Sequence, residues 1–584
     1  MKLFIRNYLW LLLPLLLAGV VYSSSLKGGF FWDDRMVILE NRAIKSWTGT
    51  FSSFSPGYWL EEDPGTKGQY RPLRNLSFTL DYSLWYINPF GYHLTNYLLY
   101  LMVVMMVTRI SLDLLSSRTA ASAAGMLFAL HPMHLESVAN IKNRTDILCF
   151  LFLLLALYFF IREKHGWGIA GYSLSLLSKE VAIVFPFALV AYMLLYNQKQ
   201  AVLRRTWPYF ALCGLFLAFK FSLLVPPVSV DPVNETTAMP ATVVLVASTL
   251  VQYTQMLLLP VSFQLERSLH VLTSPFDWRV WLFVILLASI VFAILKSRAG
   301  NKYSFALVWT AVFLAPALNI VPLESRLIAE ERLFVPSFGL CLCAGMLFRM
   351  LYERSVLLRR ASVGLLAGML VVSGAAVFRH NILWQNETLL WAHEVTMNPA
   401  GARAVSNLAA ALLREGRYDQ AEELYKQLLT MVTQKDEMYA NLGIISQKKG
   451  DIEAALSYFE NAQALAPQNA KHHSNLASLY LLKGDRIKAM ELFEKAVNID
   501  PNTAAVYTNL GIVYIGEKRH KESVVLFKKA IALDPDMMEA RLNLSSAYTA
   551  LGMSYEAQQE IKEVRLRTRS GAMVQGHNAG LKLQ

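Results

Sequence analysis

Cysteine is scarce in this sequence, which contains four cysteines in 584 residues. All of them lie within apolar runs, at Cys149, Cys213, Cys341 and Cys343. Disulfide-stapled domains and zinc sites instead carry their cysteines at characteristic short spacings. The sequence therefore offers neither a disulfide framework nor a zinc-binding pattern.

Acidic residues are scarce beside the apolar segments. Sixteen basic residues flank these segments on alternate connections, where only Asp113, Glu163 and Glu353 oppose them. A net charge of +12 could indicate nucleic-acid binding, but this distribution follows the positive-inside pattern. With 54% apolar residues, the chain is an integral membrane protein, and we expect no nucleic-acid partner. The sixteen are Lys2, Arg6, Arg109, Arg118, Arg162, Lys164, Lys199, Arg204, Arg205, Lys296, Arg298, Lys302, Arg349, Arg354, Arg359 and Arg360.

The apolar runs predict about eleven membrane crossings. The first run, residues 9–21, is interpreted as an uncleaved anchor because more spans follow it. Stretch 241–260 is also apolar, but counting it as a span would put the basic residues near position 300 outside. We therefore expect an interfacial or re-entrant helix there. The other spans are expected at roughly 93–110, 119–131, 146–162, 167–178, 181–196, 207–224, 279–296, 303–320, 334–350 and 361–378.

An odd number of crossings places the first outer loop and everything after Phe378 on the non-cytoplasmic side. The membrane domain is expected over residues 1–380, with this first outer loop at about 23–92. A connector over 381–398 would then lead to the C-terminal region. Two far-apart parts of the chain are thus predicted to share one compartment.

A 34-residue repeat fills the C-terminal region. Its period is that of the tetratricopeptide repeat, a helix–turn–helix unit. We expect an α-solenoid over 399–566, with a concave face suited to an extended peptide, and a solvated tail over 567–584. The fold class is thus all-α. The Asn-Leu pairs that mark the repeat begin at Asn407, Asn441, Asn475, Asn509 and Asn543.

Two adjacent carboxylates, Asp33 and Asp34, follow the first span within an aromatic stretch. One acid of such a pair can ionise while the pKa of its neighbour is raised, so the pair could act as general base toward a lipid-borne substrate. The alternative is a solvated acidic loop without a catalytic role.

Further polar side chains lie at the predicted outer ends of the spans, where burial is costly unless they have a role. If the spans bundle, these groups converge on one cavity, in which Arg and Lys could hold a lipid phosphate. The candidate substrate-binding residues are Asn41, Arg71, His93, His131, His134, Glu136, Arg144, Asp146, Lys179, Glu180, Glu331 and Arg332.

Each candidate has a simpler alternative. The basic residues could extend to lipid headgroups. His131, His134 and Glu136 could hold a metal ion, but their spacing is not that of a helical zinc pair. Histidines in such a position more often cap a helix or bind substrate hydroxyls. We therefore expect no metal at this site.

Six segments along the chain form an ordered set of motifs: Phe31–Asp34, Tyr70–Leu73, Gly91–Asn96, Leu127–Glu136, Leu177–Glu180 and Glu331–Ser337. In this order they resemble the TMTC family, the transmembrane and tetratricopeptide-repeat O-mannosyltransferases. With the repeats, the resemblance covers nearly the whole chain.

The resemblance implies a GT-C glycosyltransferase fold and transfer of a sugar from a polyprenyl-phosphate carrier to Ser or Thr hydroxyls. It further implies inversion at the sugar, no cofactor, and a catalytic acid in the first outer loop, here Asp33 or Asp34. The array of about five repeats is short for eukaryotic members. It indicates a bacterial relative in an inner membrane, with periplasmic repeats; a eukaryotic member would place them in the lumen of the endoplasmic reticulum.

The expected function is therefore protein O-glycosylation with mannose or a similar hexose, the acceptor protein being held by the repeats. The expected partners are the lipid-linked donor, the acceptor protein and membrane lipid. Two alternatives remain open: a GT-C transferase that acts on a lipid or glycan, and a non-enzymatic membrane scaffold that carries the repeats.

Overall fold

The computed structural model describes two compact units, Met1–Met397 and Asn398–Gln584. The division falls beside the expected end of the connector at residue 398. The residues described are 2–61, 69–196, 199–221, 241–269 except 259, 261 and 262, 302–319, 326–535 and 537–566, with isolated residues between 278 and 288. The predicted span 279–296 and the predicted tail 567–584 lie wholly or largely outside them.

Regular structure in the described part of the first unit is helical, which confirms the predicted all-α class. The α-helices are α1 Lys2–Tyr22, α2 Trp47–Ser52, α3 Pro56–Glu61, α4 Pro72–Trp85, α5 Pro89–Leu115, α6 Arg118–Ala129, α7 Leu135–Ala139, α8 Arg144–Ile161, α9 His165–Leu176, α10 Phe185–Leu195, α11 Val202–Phe221, α12 Ala241–Leu258, α13 Lys302–Leu314, α14 Ser337–Arg354, α15 Val356–Leu383 and α16 Glu387–Met397. Short 3₁₀ or π turns include Ser23–Lys27, Arg35–Leu39, Pro132–His134, Ile141–Asn143, Glu180–Val184 and Glu330–Leu333.

Four helical stretches of the described residues are long and apolar enough to cross a membrane: Tyr8–Lys27, Pro89–Leu115, Ile141–Ile161 and Val356–Leu383. Helices α6, α9 and α10 coincide with three predicted spans but have only 12, 12 and 11 residues. At 1.5 Å per residue they measure about 18 Å, less than the roughly 30 Å of a hydrocarbon core. The number of crossings therefore stays a prediction.

Charged contacts identify one end of the helical bundle, which we call the basic end. Asp113 of α5 accepts from Arg109 at 3.2 Å and from Arg162, just after α8, at 3.1 Å. Lys302, the first residue of α13, donates to Ser116 at 3.3 Å. The end of α5, the end of α8 and the start of α13 therefore meet there. The opposite end, which we call the site end, carries the first outer loop.

Two glycines let α14 pack closely between α6 and α13. A Cβ atom at Gly345 would lie 2.5 Å from the Ala120 carbonyl oxygen of α6. A Cβ at Gly339 would lie 2.2 Å from the Ala306 carbonyl oxygen of α13. Because real Cβ atoms do not approach backbone oxygens this closely, only glycine allows these helix crossings.

Helix α12 lies along the site end. On successive turns, Thr249 accepts from the Asn319 side chain at 3.2 Å and the Tyr253 hydroxyl accepts from the Ala329 N–H at 3.1 Å. One turn further, the Leu257 carbonyl oxygen lies 3.3 Å from His131 Nε2. These partners all belong to segments at the site end. An interfacial or re-entrant position for α12 stays a prediction.

The second unit is an array of antiparallel helix pairs at the predicted 34-residue period. First helices end at glycines in the left-handed conformation at Gly450 and Gly484, both with φ of 85°. Buried rings such as Phe459 and Phe493 fill the layers between pairs. The helices are α17 Ala402–Arg414, α18 Tyr418–Met431, α19 Asp436–Lys449, α20 Ile452–Leu465, α21 Ala470–Lys483, α22 Arg486–Ile499, α23 Ala504–Gly516, α24 His520–Leu533 and α25 Met538–Ala550, with a further helix over 554–566.

Packing within a repeat predicts opposite effects for two glycines of α23. A Cβ at Gly511 would lie 2.6 Å from the buried Phe527 ring, whereas at Gly516 it would meet only the flexible Arg486 side chain. Overpacking a rigid core costs roughly 1–3 kcal/mol, and alanine gains about 1 kcal/mol of helix propensity over glycine. We expect Gly511→Ala to lower the free energy of unfolding of the repeat unit by about 1 kcal/mol.

Urea unfolding of residues 398–584, followed by circular dichroism, measures this difference. The matched control, Gly516→Ala, should leave the unfolding midpoint unchanged or raise it. Equal midpoints for Gly511→Ala and the unsubstituted repeats would contradict the packing described.

Candidate active site

The acid pair lies at the site end, in a sharply turned segment of the first outer loop. Trp32 has φ of 49°, in the left-handed region that side chains other than glycine rarely adopt. Asp34 is 2% exposed, and its carboxylate accepts from the Lys142 N–H at 2.7 Å and the Phe31 N–H at 3.4 Å. The Asp33 side chain remains 22% exposed. Of the two acids, Asp33 is therefore the one accessible to a ligand.

Lys142 binds both acids, through its backbone N–H to Asp34 and through its ammonium to Asp33. It belongs to a 3₁₀ turn, and its N–H also donates to the Asn140 side chain at 3.1 Å. Sequence reasoning missed Lys142. The available signal was a basic residue two positions before Arg144, inside a segment already chosen for its polar residues at a predicted outer end.

Burial has different consequences for the two acids. It raises the pKa of Asp34 to about 7, although the N–H donors of Lys142 and Phe31 act in the opposite direction. At neutral pH the Asp34 carboxyl is therefore protonated in a large fraction of molecules. The more exposed Asp33 carboxylate keeps a cation, Lys142, as its direct partner.

A second cluster joins α8 to the turn after α9 and the end of α11. Lys179 donates to Asp146 at 2.7 Å, and Glu180 accepts from Arg71 at 3.3 Å and Lys220 at 2.7 Å. Burial opposes ionisation of Glu180, but Arg71 and Lys220 outweigh it and hold its pKa well below the usual range. Lys220 was missed, although a lone cation at the outer end of the predicted span 207–224 was a usable signal.

Arg326 joins two further acids to this region. It donates to both oxygens of Glu136, at 3.0 and 2.8 Å, and to Glu331 at 3.1 Å. Burial, with Glu331 nearby, raises the pKa of Glu136 well above its usual range. Burial would do the same to Glu331, but Arg326 and Lys179 hold its pKa below the usual range. The pKa values of the two acids are therefore shifted in opposite directions.

One oxygen in the second cluster is not used by the fold. Asp146 is 3% exposed, and its Oδ2 has no hydrogen-bond partner among the described residues. Buried carboxylate oxygens are almost always paired, so an unpaired one beside Lys179 suits a hydroxyl donor.

Other predicted binding residues are occupied within the fold. The Arg144 guanidinium bonds Asp81 at 2.6 Å, and His134 Nε2 lies 2.8 Å from the Ser337 hydroxyl. His131 Nε2 lies 3.3 Å from the Leu257 carbonyl oxygen. Arg332 donates to the carbonyl oxygens of Leu327 at 3.1 Å and Arg326 at 2.8 Å. Three of these side chains join separate segments of the fold, and Arg332 braces the loop to which it belongs.

Asn41 and His93 support the first outer loop. The Asn41 side-chain oxygen accepts from the Ala43 N–H at 2.9 Å and the Tyr58 hydroxyl at 3.1 Å. His93 is buried, and its Nε2 lies 3.2 Å from the Gly29 carbonyl oxygen. Six of the twelve predicted binding residues lie in the second cluster or contact Arg326. They are Arg71, Glu136, Asp146, Lys179, Glu180 and Glu331.

Comparison with known proteins matches both units. The family described as dolichyl-phosphate-mannose-protein mannosyltransferase matches residues 79–224. Tetratricopeptide-repeat families match residues 404–439, 447–510 and 514–576. A crystal structure of MamA is 21% identical and covers 28% of this chain and 97% of its own, with a TM-score of 0.26, too low to support an argument.

Three curated relatives are similar to this chain over different lengths. Protein O-mannosyl-transferase Tmtc1 of Drosophila melanogaster is 27% identical over 70% of this chain and 59% of its own length. Tmtc2 of the same fly is 39% identical over 26% of this chain and 17% of its own. Protein O-mannosyl-transferase F38B6.6 of Caenorhabditis elegans is 25% identical over 72% of this chain and 62% of its own.

The alignments span 59% of the length of Tmtc1 and 62% of the length of F38B6.6. The membrane unit with its mannosyltransferase match and the repeat unit occur in the same order as the motifs found in the sequence. The chain is therefore similar to the TMTC proteins in its mannosyltransferase-like membrane unit and in its tetratricopeptide repeats.

Proposed function

We propose that this chain is a membrane glycosyltransferase. It moves mannose or a similar hexose from a polyprenyl-phosphate carrier to Ser or Thr hydroxyls of a protein held by the repeats. The names of the matching family and relatives support the class of reaction. The observation that carries the proposal is the accessible Asp33 beside the buried Asp34, at the same end as a cluster of cations.

Asp33 is the proposed general base. Its carboxylate takes the proton of the acceptor hydroxyl as that oxygen bonds to the anomeric carbon. The bond from this carbon to the phosphate oxygen breaks, and the polyprenyl phosphate leaves with the electron pair. Lys142 positions Asp33 through their ion pair. Asp34 positions it through the turn that its carboxylate closes.

The second cluster suits the leaving phosphate. Its three cations, Arg71, Lys179 and Lys220, are held in place by the carboxylates of Glu180 and Asp146. Cations held in place before the reaction stabilise charge that develops on a leaving group. The free oxygen of Asp146 is available to a sugar hydroxyl.

Contacts within the first unit support the shared compartment of the acids and the repeats. The Trp32 ring lies 5.3 Å from the Trp391 ring of α16, the helix that leads directly to residue 398. We propose that this side is non-cytoplasmic, because the opposite end carries the flanking cations. For a bacterial chain it is the periplasm.

A row of asparagines in the repeats supports the acceptor-binding role. First helices of successive repeats approach one another more closely than second helices do, so the first helices line the concave side. Each carries a half-buried asparagine. The amide nitrogen of the first, Asn407, has no hydrogen-bond partner among the described residues. An amide offers both a donor and an acceptor, which matches the N–H and C=O groups of an extended peptide. The asparagines are Asn407, Asn441, Asn475, Asn509 and Asn543.

Topology can be tested with reporter fusions. A fusion after Arg360 precedes the last predicted span, and a fusion after Gln385 follows it. We expect a cytoplasmic signal from the first and a periplasmic or lumenal signal from the second. A cytoplasmic signal from the later fusion would place the acids and the repeats on the wrong side for this mechanism.

The acceptor role of the repeats predicts a defect in acceptor KM. In the full chain, Asn441→Ala, Asn475→Ala and Asn509→Ala together remove three amides that each offer about 1 kcal/mol of hydrogen bonding. We expect KM for the acceptor protein to rise about tenfold or more, with donor binding unchanged. Truncation after Met397 should abolish transfer to this protein and retain carrier binding.

The matched controls for this experiment are Asn461→Ala and Asn498→Ala, which change exposed asparagines on second helices. They should leave KM for the acceptor unaltered. Full transfer by the truncated chain would assign the repeats to another task, and transfer to a lipid or glycan alone would favour that class of acceptor.

The base assignment predicts a turnover defect. Asp33→Asn keeps the size of the side chain but removes its basicity, so kcat should fall by ~10²–10⁴. Donor binding should remain within about twofold. Asp34→Asn retains only one acceptor oxygen for two N–H groups, so the turn should loosen and kcat should fall as well.

Turnover with a lipid-linked sugar and purified protein measures both effects. The control is Asp113→Asn, which alters an acid of the basic end and should leave turnover unchanged. Near wild-type kcat in both Asp33→Asn and Asp34→Asn would exclude the proposed base.

A further inference from the structure

Helix α16, the last element before the repeats, presents three side chains to the site end. Glu387, Trp391 and Glu394 are four and three positions apart, so they lie on one face of the helix. All three are buried, although two are acids in a short helix. Buried carboxylates are rare unless a partner holds them.

Two of these side chains hold the segment that carries the acid pair. The Glu387 carboxylate accepts from the Trp32 N–H at 3.3 Å and from the Arg35 guanidinium at 3.2 Å. Trp391 packs edge to face against Trp32, with an interplanar angle of 88°. The residues on both sides of Asp33 and Asp34 are therefore fixed by α16, and one of them is the strained Trp32.

The third side chain holds the segment that follows α12. Glu394 accepts from the Glu266 N–H at 3.2 Å. The neighbouring Arg267 pairs with Glu330 at 2.9 Å, directly beside Glu331 of the Arg326 cluster. The same helix face thus reaches the two loops that frame the candidate active site.

We infer that α16 is a positioning element: Glu387 and Trp391 hold Trp32 to Arg35 so that Asp33 faces the substrate, and Glu394 holds the opposite loop. This inference rests on the proposed function. Helix α16, which directly precedes the repeats proposed to bind the acceptor, would then also align the base. A misplacement of about 1 Å can cost 10²-fold in rate, so these residues act through Asp33 without touching the substrate.

The test uses the full chain with two substitutions at one position. Glu387→Ala removes both contacts, whereas Glu387→Gln keeps an acceptor for the Trp32 N–H and loses the charge beside Arg35. We expect kcat to fall about tenfold or more in Glu387→Ala and less in Glu387→Gln, with KM for the lipid donor within about twofold of wild type. Trp391→Phe keeps an aromatic ring that fills most of the space of the tryptophan, so its kcat should lie between those of Glu387→Ala and the wild type.

A second readout does not depend on turnover. Hydrogen exchange of the backbone amides from Asp34 to Glu40 should become faster in Glu387→Ala, because the loop is released from α16. The matched control is Glu353→Ala, which breaks an exposed ion pair with Arg349 away from the site end. It should change neither exchange nor turnover.

Three outcomes would overturn the inference. In the first, Glu387→Ala leaves hydrogen exchange of the loop unchanged. In the second, exchange becomes faster but kcat stays at the wild-type value. In the third, Glu387→Ala raises only the KM for the acceptor. If the wild-type chain transfers no sugar from any lipid-linked donor, the proposed function fails. The exchange measurement would still report whether α16 holds the loop.

Discussion

The buried guanidinium of Arg144 is the contact on which the candidate active site depends. It bonds Asp81 of α4, the Asn96 side chain of α5 at 2.6 Å and the Tyr92 carbonyl oxygen at 2.8 Å. Since α8 begins at this residue, the guanidinium fixes the start of α8 against two other helices. Removal of one partner from a buried ion pair typically costs about 3–5 kcal/mol, so this junction is rigid. Lys142, two residues earlier, is thereby held where the acid pair can reach it.

The charges of the site end fall into two groups with different physical roles. Arg144 and Arg332 have their donors taken up by protein oxygens, and they join helices and loops. Asp33, Lys179 and Arg71 are paired with other side chains, and a phosphate or a hydroxyl can compete for those partners. A site built from the second group alone would lack fixed supports. The first group supplies the fixed frame around it.

The sequence was most informative where a pattern repeats or where chemistry is local. The 34-residue period predicted the helix pairs of the repeat unit, and the adjacent Asp33 and Asp34 marked the loop that α16 holds. Lys142 was not found, because its contact with Asp33 spans 109 positions along the chain. His131 and His134 were chosen for their chemistry, yet their partners, Leu257 and Ser337, come from remote segments. Pairings of this kind depend on tertiary packing, which no local spacing encodes.

The short helices of the bundle bear on how a membrane would surround this protein. Helices α6, α9 and α10, each about 18 Å long, end in the segments that carry Glu136, Lys179 and Glu180. Lipid beside so short a helix has to thin locally, or the helix end has to lie below the headgroups. In either case the segments that carry these three residues lie closer to the acyl chains than to the headgroup surface. The phosphate of the proposed lipid-linked donor would then meet the proposed cations while its isoprenoid tail stays in the bilayer, and only the sugar would have to reach the water.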